Sequence, residues 1–291
     1  LYSLCAQTNC PDGANPGAGL FQAANGEFYG TTSYGGANQA GTVFRMTAAG
    51  KLTNVYTFCP QRPCTDGYEP QGTLIQVEGN FYGTTFFGGA NNEGTIFKVS
   101  PEGILTVLYS FCAQAKCVDG SNPAAGIIQA NDGNFYGTSS AGVTRGESHG
   151  YGTVFEITRE GSLTTLHTFD YYNDGAGPLG SLLQATNGVF YGTTPIGGAN
   201  FDGTIFGLSV GLRPFVQTLP TLGKIGTPVT ILGTNLTGTT RVMFNGTAAK
   251  FTVVSRSEIK TTVPAGATTG KVDRTTPKRM LKSNVVFRVT K

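Results

Sequence analysis

Short runs of apolar and aromatic residues, separated by Gly, Asn and Pro, recur along the first two-thirds of the chain. In one segment they lie at Thr73–Val77, Asn80–Thr85, Thr95–Ser100 and Leu105–Phe111. β-Branched and aromatic residues favour strands, and the Glu78-Gly79 step between the first two runs is typical of a tight hairpin connection. No helical period extends over ten residues. The pattern predicts four short strands in this segment and an all-β protein.

The same pattern of strands occurs four times. The tetrapeptide Phe-Tyr-Gly-Thr begins, at intervals of 53, 54 and 55 residues, at Phe28, Phe81, Phe135 and Phe190. Repetition at a fixed interval indicates a repeat architecture, and four strands in about 53 residues is the size of a propeller blade. We therefore expect a four-bladed β-propeller-like domain over residues 1–211 and a second domain over residues 212–291.

The two ends of the repeat array do not match. The chain begins with Leu1, Tyr2, Ser3 and Leu4, which correspond to the last strand of a repeat, whereas the fourth repeat stops after its third strand, Thr204–Ser209. Two arrangements are open: the spare strand completes the fourth blade of its own ring, or it pairs with a neighbouring molecule in an open array. We favour ring closure because it removes sheet edges that invite other chains to pair.

Six cysteines form three pairs of identical spacing: Cys5 and Cys10, Cys59 and Cys64, Cys112 and Cys117. A structural zinc site needs four ligands, whereas a local disulfide needs only one pair and contributes about 2 kcal/mol by loop closure. The corresponding loop of the fourth repeat is shorter and has no cysteine. The spacing therefore predicts three structural disulfides, which form in an oxidising compartment.

The chain begins without Met and without a secretion signal, so we expect a processed form whose export signal has been removed. No apolar run reaches the roughly 18 residues that a membrane-spanning helix needs. Together with the predicted disulfides, these features indicate a secreted or cell-surface protein.

Short alternating strands separated by glycine-rich turns predict a small β-sandwich for the second domain. These strands lie at Val229–Leu232, Arg241–Asn245, Lys250–Val254 and Val285–Thr290. The sequence over Gly226–Leu236, Val242–Gly246 and Val263–Gly270 resembles the IPT/TIG family of immunoglobulin-like domains, and it departs from that family's alternation at Asp273–Lys282. The resemblance implies an Ig-like β-sandwich that serves as a spacer or binding module in secreted bacterial proteins.

The repeats, with their Phe-Tyr-Gly-Thr and Gly-Thr-(Val/Ile)-Phe motifs, resemble bacterial extracellular tandem-repeat proteins of the choice-of-anchor GloVer type. This resemblance covers Leu1 to Gly211. It implies attachment to the cell surface and no known activity.

The net charge of +3 conceals an uneven distribution of charge. Residues 1–211 carry 7 basic and 15 acidic side chains, a net charge of −8, and residues 212–291 carry 13 basic and 2 acidic ones, a net charge of +11. Opposite fields of this kind steer association. We therefore expect copies of the chain as partners, and a cell-surface polysaccharide as a further partner. Nucleic acid is not expected, because the basic domain lacks aromatic residues at base-stacking spacing.

Two groups of residues are candidates for binding a ligand. Four repeat tyrosines face the opposite side of their strands from the adjacent Phe, and they either fill the packing between blades or stack on sugar rings near the axis: Tyr29, Tyr82, Tyr136 and Tyr191. The third repeat also contains a loop with four extra residues, which includes Arg145 and His149. Insertions in loops are frequent places for binding sites, although they are also readily tolerated.

An Asp-Gly turn follows the last strand of each repeat, and its aspartates either close their own turns or bind calcium: Asp12, Asp66, Asp119 and Asp174. His167 stands where the other repeats have tyrosine, so we expect it to be structural. Two sequons, at Asn235 and Asn245, are compatible with glycosylation in an exported protein.

The chain contains two histidines and no Trp, so it offers little for a histidine-based metal site or a Ser–His–carboxylate triad. We expect no cofactor and no enzymatic activity. The favoured hypothesis is a non-catalytic structural or adhesive protein that self-associates, through its acidic and basic domains, into an extracellular assembly or fibre. The alternative is a carbohydrate-binding or polysaccharide-acting extracellular protein.

Overall fold

The computed structural model describes residues 2–23, 25–142 and 150–290. Strands dominate it, and within these ranges the only helical element is a 3₁₀ turn at Ala115–Cys117. The chain divides into two compact units. Unit 1 comprises Leu1–Gln129, Asn134–Leu183 and Tyr191–Phe206; unit 2 comprises Ala130–Gly133, Gln184–Phe190 and Gly207–Lys291. The predicted all-β class is confirmed, and the boundary at residue 211 stays a prediction.

Each of the four sequence repeats forms its own antiparallel sheet. The first contains β1 (Phe21–Gln22), β2 (Phe28–Thr32), β3 (Thr42–Met46) and β4 (Leu52–Thr57), in that order. The second contains β5 (Tyr68–Pro70), β6 (Ile75–Val77), β7 (Asn80–Phe87), β8 (Thr95–Val99) and β9 (Leu105–Ser110), where both β5 and β6 pair with β7. The third contains β10 (Ile128–Gln129), β11 (Phe135–Ser139), β12 (Thr153–Ile157) and β13 (Leu163–Thr168). The fourth contains β14 (Leu183–Gln184), β15 (Phe190–Thr194) and β16 (Thr204–Leu208).

The glycine of the Phe-Tyr-Gly-Thr motif makes room for a phenylalanine on the next strand. Gly83 of β7 lies opposite Phe97 of β8, and a Cβ atom at Gly83 would lie 2.7 Å from the Phe97 ring. A bulge follows Ile96 in the same strand, at the position where the other two complete repeats also shift register. The motif therefore encodes a close approach between two strands, which only glycine permits.

Successive repeats share their hydrophobic cores. One core cluster joins Tyr29 and Val43 of the first repeat to Leu74, Phe81 and Phe97 of the second. A second cluster joins the second repeat to the third in the same way. The first repeat is thus buried against the second and the second against the third, as in repeat proteins whose units contact only their neighbours.

The strand predicted at the N-terminus is absent. Tyr2, Ser3 and Leu4 belong to no strand, Leu1 lies outside the described residues, and the sheet of the fourth repeat has three strands. The Tyr2 hydroxyl donates a hydrogen bond to Asp12 at 2.9 Å. Residues 2–4 have no strand partner, and they do not complete the fourth sheet.

Unit 2 contains two four-stranded sheets and a short parallel pair. The first sheet has the order β17 (Gln217–Leu219), β19 (Pro228–Leu232), β23 (Glu258–Thr262), β22 (Phe251–Val253). The second has the order β21 (Thr247–Ala249), β20 (Arg241–Phe244), β24 (Val272–Thr276), β25 (Arg279–Lys282). The pair consists of β18 (Leu222–Gly223) and β26 (Arg288–Val289). Buried side chains of both four-stranded sheets belong to one core cluster, among them Ile231, Ile259, Val242 and Val272.

Candidate functional site

The repeat aspartates close their own loops. In the loop between the first and second repeats, Asp66 accepts hydrogen bonds from the Tyr56 hydroxyl at 3.0 Å and from the Cys59 N–H at 2.9 Å. In the loop between the second and third repeats, the Tyr109 hydroxyl donates to Asp119 at 2.7 Å. Burial, followed by the interaction with the neighbouring carboxylate, raises the pKa of both tyrosines above the usual value.

The first and fourth repeats keep the same arrangement with small changes. Asp12 accepts hydrogen bonds from Tyr2 and from the Cys5 N–H. In the loop between the third and fourth repeats, His167 Nε2 lies 2.6 Å from Asp174, where the corresponding loops have a tyrosine hydroxyl. No three His, Cys, Asp or Glu side chains converge within the described ranges. The contacts favour the turn-closing role of these aspartates over calcium binding.

The three predicted disulfides are present: Cys5–Cys10, Cys59–Cys64 and Cys112–Cys117. Each disulfide closes a loop whose backbone N–H groups also donate hydrogen bonds to the repeat aspartate. The cysteines therefore belong to the scaffold of the first three repeats.

Three of the four repeat tyrosines cannot contact a ligand. Tyr29, Tyr82 and Tyr136 are buried, and the rings of Tyr29 and Phe81 stack with centroids 3.9 Å apart. Tyr191 alone of the four is exposed, at 40%. Burial of these three residues agrees with the alternative that the repeat tyrosines fill the packing between blades, and it excludes that these three stack on sugar rings.

A partly exposed aromatic cluster lies where the third repeat meets the fourth. It consists of Tyr151 of the third repeat, Tyr171 and Tyr172 of the loop that leads into the fourth repeat, and Phe201 of the fourth repeat, and we call it the fourth-repeat aromatic cluster. The Tyr171 ring centroid lies 5.4 Å from that of Tyr151, 5.4 Å from that of Tyr172 and 5.7 Å from that of Phe201. Tyr172 is 66% exposed and Phe201 is 52% exposed. Solvent-exposed rings gathered in this way form an apolar patch, which is typical of a binding surface.

The loop that carries Tyr171 and Tyr172 is shaped by aspartates. The Asp170 N–H donates to Asp174 at 2.6 Å, and the Asp170 carboxylate accepts hydrogen bonds from the Tyr172 N–H at 3.1 Å and from the Asn173 side chain at 3.0 Å. This is the Asx-turn geometry that Asp favours. In the first three repeats the equivalent loop is held by a disulfide. The fourth loop thus replaces a covalent link with hydrogen bonds and presents two tyrosines.

Phe201 has a backbone conformation that is unusual for a bulky residue. Its φ angle is 62°, and the equivalent residues Gln39 and Asn92 have φ angles of 58° and 61°. Asn tolerates this left-handed region, whereas a large apolar residue there costs about 1–3 kcal/mol. Residues held in such conformations cluster at functional sites. An exposed Phe at this position therefore indicates a role for its ring outside the core.

The remaining candidate residues lie in unit 2 or outside the described residues. Arg145 and His149 fall in residues 143–149, which lie outside the described residues. Asn235 and Asn245 are exposed in unit 2, and the Asn245 side chain donates hydrogen bonds to Thr268 and Thr269 at 2.8 and 3.1 Å. Glycosylation at these two asparagines stays a prediction.

Unit 2 contains a buried arginine that the sequence patterns did not identify. Arg274 is buried, and its Nη2 donates to the carbonyl oxygens of Thr234 and Asn235, both at 3.0 Å. Burial and the charge of Arg279 lower the pKa of Arg274. Arg274, Lys278 and Arg279 line an open cavity of about 670 Å³. The segment that departs from the predicted alternation thus forms the hairpin of β24 and β25 and a basic groove.

No curated protein matches this chain. Among solved structures, the chain is similar to a luciferin-regenerating enzyme, with 12% identity and a TM-score of 0.41 over 68% of this chain; it spans 62% of that enzyme's length. It is similar to an endo-arabinase from Bacteroides thetaiotaomicron, with 11% identity and a TM-score of 0.39 over 96% of this chain and 95% of the other. An α-L-arabinofuranosidase from Clostridium thermocellum matches with 13% identity and a TM-score of 0.38 over 87% of this chain and 94% of the other.

These matches contradict the prediction that the chain is not an enzyme. The solved structures similar to it include an endo-arabinase and an α-L-arabinofuranosidase. A scaffold of short antiparallel strands does not by itself separate a binding protein from an enzyme, because function is carried by the site and not by the fold. The prediction of a non-catalytic protein was drawn from the architecture, and we do not keep it.

One protein family accounts for most of the chain. The sequence model of the Gloeobacter/Verrucomicrobia repeat matches residues 1–206 and, in a second alignment, residues 60–254. The two alignments begin about one repeat apart, as expected when a tandem-repeat model is placed on successive copies. The chain belongs to the Gloeobacter/Verrucomicrobia repeat family.

Proposed function

We propose that this chain is an extracellular carbohydrate-binding protein and that the fourth-repeat aromatic cluster is its binding surface. The observation that carries the proposal is the exposed Phe201, which keeps an unfavourable left-handed backbone while its ring joins Tyr171 and Tyr172. An exposed ring held at a conformational cost is best explained by a ligand.

The chemistry of the cluster suits a sugar. The faces of aromatic rings carry negative partial charge, and the C–H groups on the flat face of a pyranose carry positive partial charge. Stacking between them removes apolar surface of both partners from water. Tyr151, Tyr171 and Tyr172 also bring hydroxyl groups, which suit a ligand that is apolar on one face and polar at its edge.

Polar groups border the rings. The Asp170 carboxylate is partly exposed, and Asn173 beside it is exposed. A carboxylate accepts hydrogen bonds and an amide both donates and accepts them, so the two groups complement the hydroxyls of a sugar. The combination of rings with a few placed polar groups is the usual composition of a ligand site.

The disulfides support an extracellular location. Three disulfides are present, and disulfides persist in oxidising environments. Among the described residues, no helix is long and apolar enough to cross a membrane. The two sheets of unit 2 and their shared core support an Ig-like, IPT/TIG-type domain that accompanies the repeats.

A glycan array of plant and bacterial polysaccharides, arabinan and xylan among them, tests the proposal. We expect wild-type protein to bind at least one glycan, and Phe201→Asn to weaken that binding at least tenfold. Asn is the residue at the equivalent position 92, so the substitution also relieves backbone strain and raises the free energy of unfolding by about 1 kcal/mol.

The matched control is Tyr34→Ala, which removes an exposed ring of the first repeat. This variant keeps its glycan binding if the site lies on the fourth repeat. An array without any bound glycan, or equal loss in Phe201→Asn and Tyr34→Ala, contradicts the proposal.

A further inference from the structure

The fourth repeat exposes an apolar sheet face that the other repeats bury. It consists of Leu183 on β14, Tyr191 on β15 and Ile205 on β16, and we call it the trailing face of the fourth repeat. Leu183 is 66% exposed and Ile205 is 83% exposed. Ile96, the equivalent of Ile205 in the second repeat, is fully buried. The same sequence position is therefore core in one repeat and surface in another.

The internal repeats show what covers a trailing face. The Tyr29 ring stacks on Phe81 of the second repeat, and the Tyr82 ring lies 4.7 Å from Phe135 of the third. The side chain of Leu74 joins the same core cluster as Tyr29. The covering surface, which we call the leading face, is thus formed by the Phe of the Phe-Tyr-Gly-Thr motif and by an aliphatic residue seven or eight positions before it.

The leading face of the first repeat is also uncovered. Leu20 is 50% exposed, although its equivalent Leu74 is buried. Phe28 is partly exposed, although its equivalent Phe81 is buried. The chain therefore carries both halves of one interface, and both of them are open to solvent.

Charge does not oppose contact at the trailing face. On the first repeat, Arg45 pairs with Tyr29 across the strands and so lies on the trailing side. Lys98 and Glu156 hold the same place in the next two repeats. In the fourth repeat the equivalent residue is Gly207, which carries no side chain. This face therefore lacks the charged side chain that the other three carry at this position.

We propose that the trailing face of the fourth repeat binds the leading face of the first repeat of a second copy of this chain. The contact continues, from one molecule to the next, the stacking that joins successive repeats within unit 1. The two surfaces differ, so the interface is heterologous, and the chains join head to tail in open linear arrays. The proposal is independent of glycan binding, because the fourth-repeat aromatic cluster contributes none of the three trailing-face residues.

A complementation experiment with the full chain tests the proposal. The variant Ile205→Asp disables the trailing face, and Leu20→Asp disables the leading face. Each position is exposed in the chain, so neither substitution disturbs a core. In sedimentation velocity over a range of concentrations, we expect wild-type protein to form a ladder of oligomers, and each variant alone to associate at least tenfold more weakly.

A mixture of the two variants shows whether the chains join head to tail. Ile205→Asp keeps a working leading face and Leu20→Asp keeps a working trailing face, so the mixture forms a 1:1 dimer that grows no further. The matched control is Ile104→Asp, at an exposed isoleucine in a turn of the second repeat, which leaves the ladder of oligomers unchanged.

Three outcomes overturn the proposal. The first is wild-type protein that stays monomeric at every concentration, because its faces are then covered within one molecule or not used. The second is association that Ile205→Asp abolishes and Leu20→Asp leaves intact, which indicates symmetric contact between two trailing faces. The third is a mixture of the two variants that forms no dimer.

Discussion

The fourth repeat and the second repeat have nearly the same motifs but opposite surfaces. Both carry Phe-Tyr-Gly-Thr and Gly-Thr-Ile-Phe, and both form antiparallel strands at these motifs. In the second repeat the tyrosine and isoleucine of these motifs are buried, whereas in the fourth they face solvent. The difference shows that burial in this protein is conferred by the next repeat and not by the sequence of the repeat itself.

A second difference lies in the loops. The first three repeats close theirs with a disulfide and an aspartate, and the fourth uses only the aspartates Asp170 and Asp174. Where the covalent link is absent, the loop carries Tyr171 and Tyr172, and Phe201 on a nearby loop joins them. The fourth repeat is thus neither covered by a following repeat nor preceded by a disulfide-closed loop, and we propose that it carries the binding site.

The largest expected effect tests the burial difference directly. The variant Ile96→Ala removes a fully buried side chain from the core between the second and third repeats, and it should lower the free energy of unfolding by about 2–5 kcal/mol. Ile205→Ala makes the same chemical change at the equivalent position and should change stability by less than about 0.5 kcal/mol, because that side chain is exposed. Chemical denaturation of both variants at low protein concentration measures the two values. Equal losses would show that Ile205 is also buried.

A smaller loss of stability is expected when a Tyr–Asp hydrogen bond is removed. The loop before the fourth repeat has His167 and Asp174 in place of such a pair. Removing the hydroxyl in Tyr109→Phe leaves Asp119, which is buried, without one of its donors, and should cost about 1–2 kcal/mol at pH 7. The control Tyr172→Phe removes an exposed hydroxyl and should be neutral. Thermal unfolding of both variants measures the difference.

The same pairs predict how stability depends on pH. Burial and the nearby carboxylates raise the pKa of Tyr56 and Tyr109 in the folded chain. The contribution of these two tyrosines to the free energy of unfolding is therefore complete below pH 10, where tyrosines of the unfolded chain begin to ionise. This contribution is lost as the pH rises further. We expect the double variant Tyr56→Phe/Tyr109→Phe to lose stability less steeply than wild type above pH 10. Identical slopes would contradict the assignment.

Much of the fold follows from local patterns. The strand predicted at Thr95–Ser100 is observed at Thr95–Val99, and the disulfides follow from the spacing of the cysteines and the length of their loops. These features depend on neighbours in the sequence. The prediction of an N-terminal strand was wrong for a related reason: its similarity to the other repeats is local, but a strand also needs a partner strand, and residues 2–4 have none.

The candidate site was beyond sequence analysis because its residues come from three separate segments. Tyr151, Tyr171 and Phe201 have no shared motif, and only their positions in the folded repeat bring the rings together. Two signals pointed to them: a tyrosine pair in the loop without cysteines, and Phe201 at a position occupied by Gln39 and Asn92. The repeat tyrosines formed a clear motif, yet the following repeat buries most of them.

The central claim is that sugars bind at the fourth-repeat aromatic cluster, and one fluorescence measurement tests it most directly. The chain contains no Trp, so Tyr172→Trp introduces a single reporter at an exposed position of the cluster. Titration with a glycan that binds should shift its emission to shorter wavelength, because the stacked sugar removes water from the indole ring. Emission that stays unchanged while the glycan saturates the protein would place the binding site elsewhere and contradict the account.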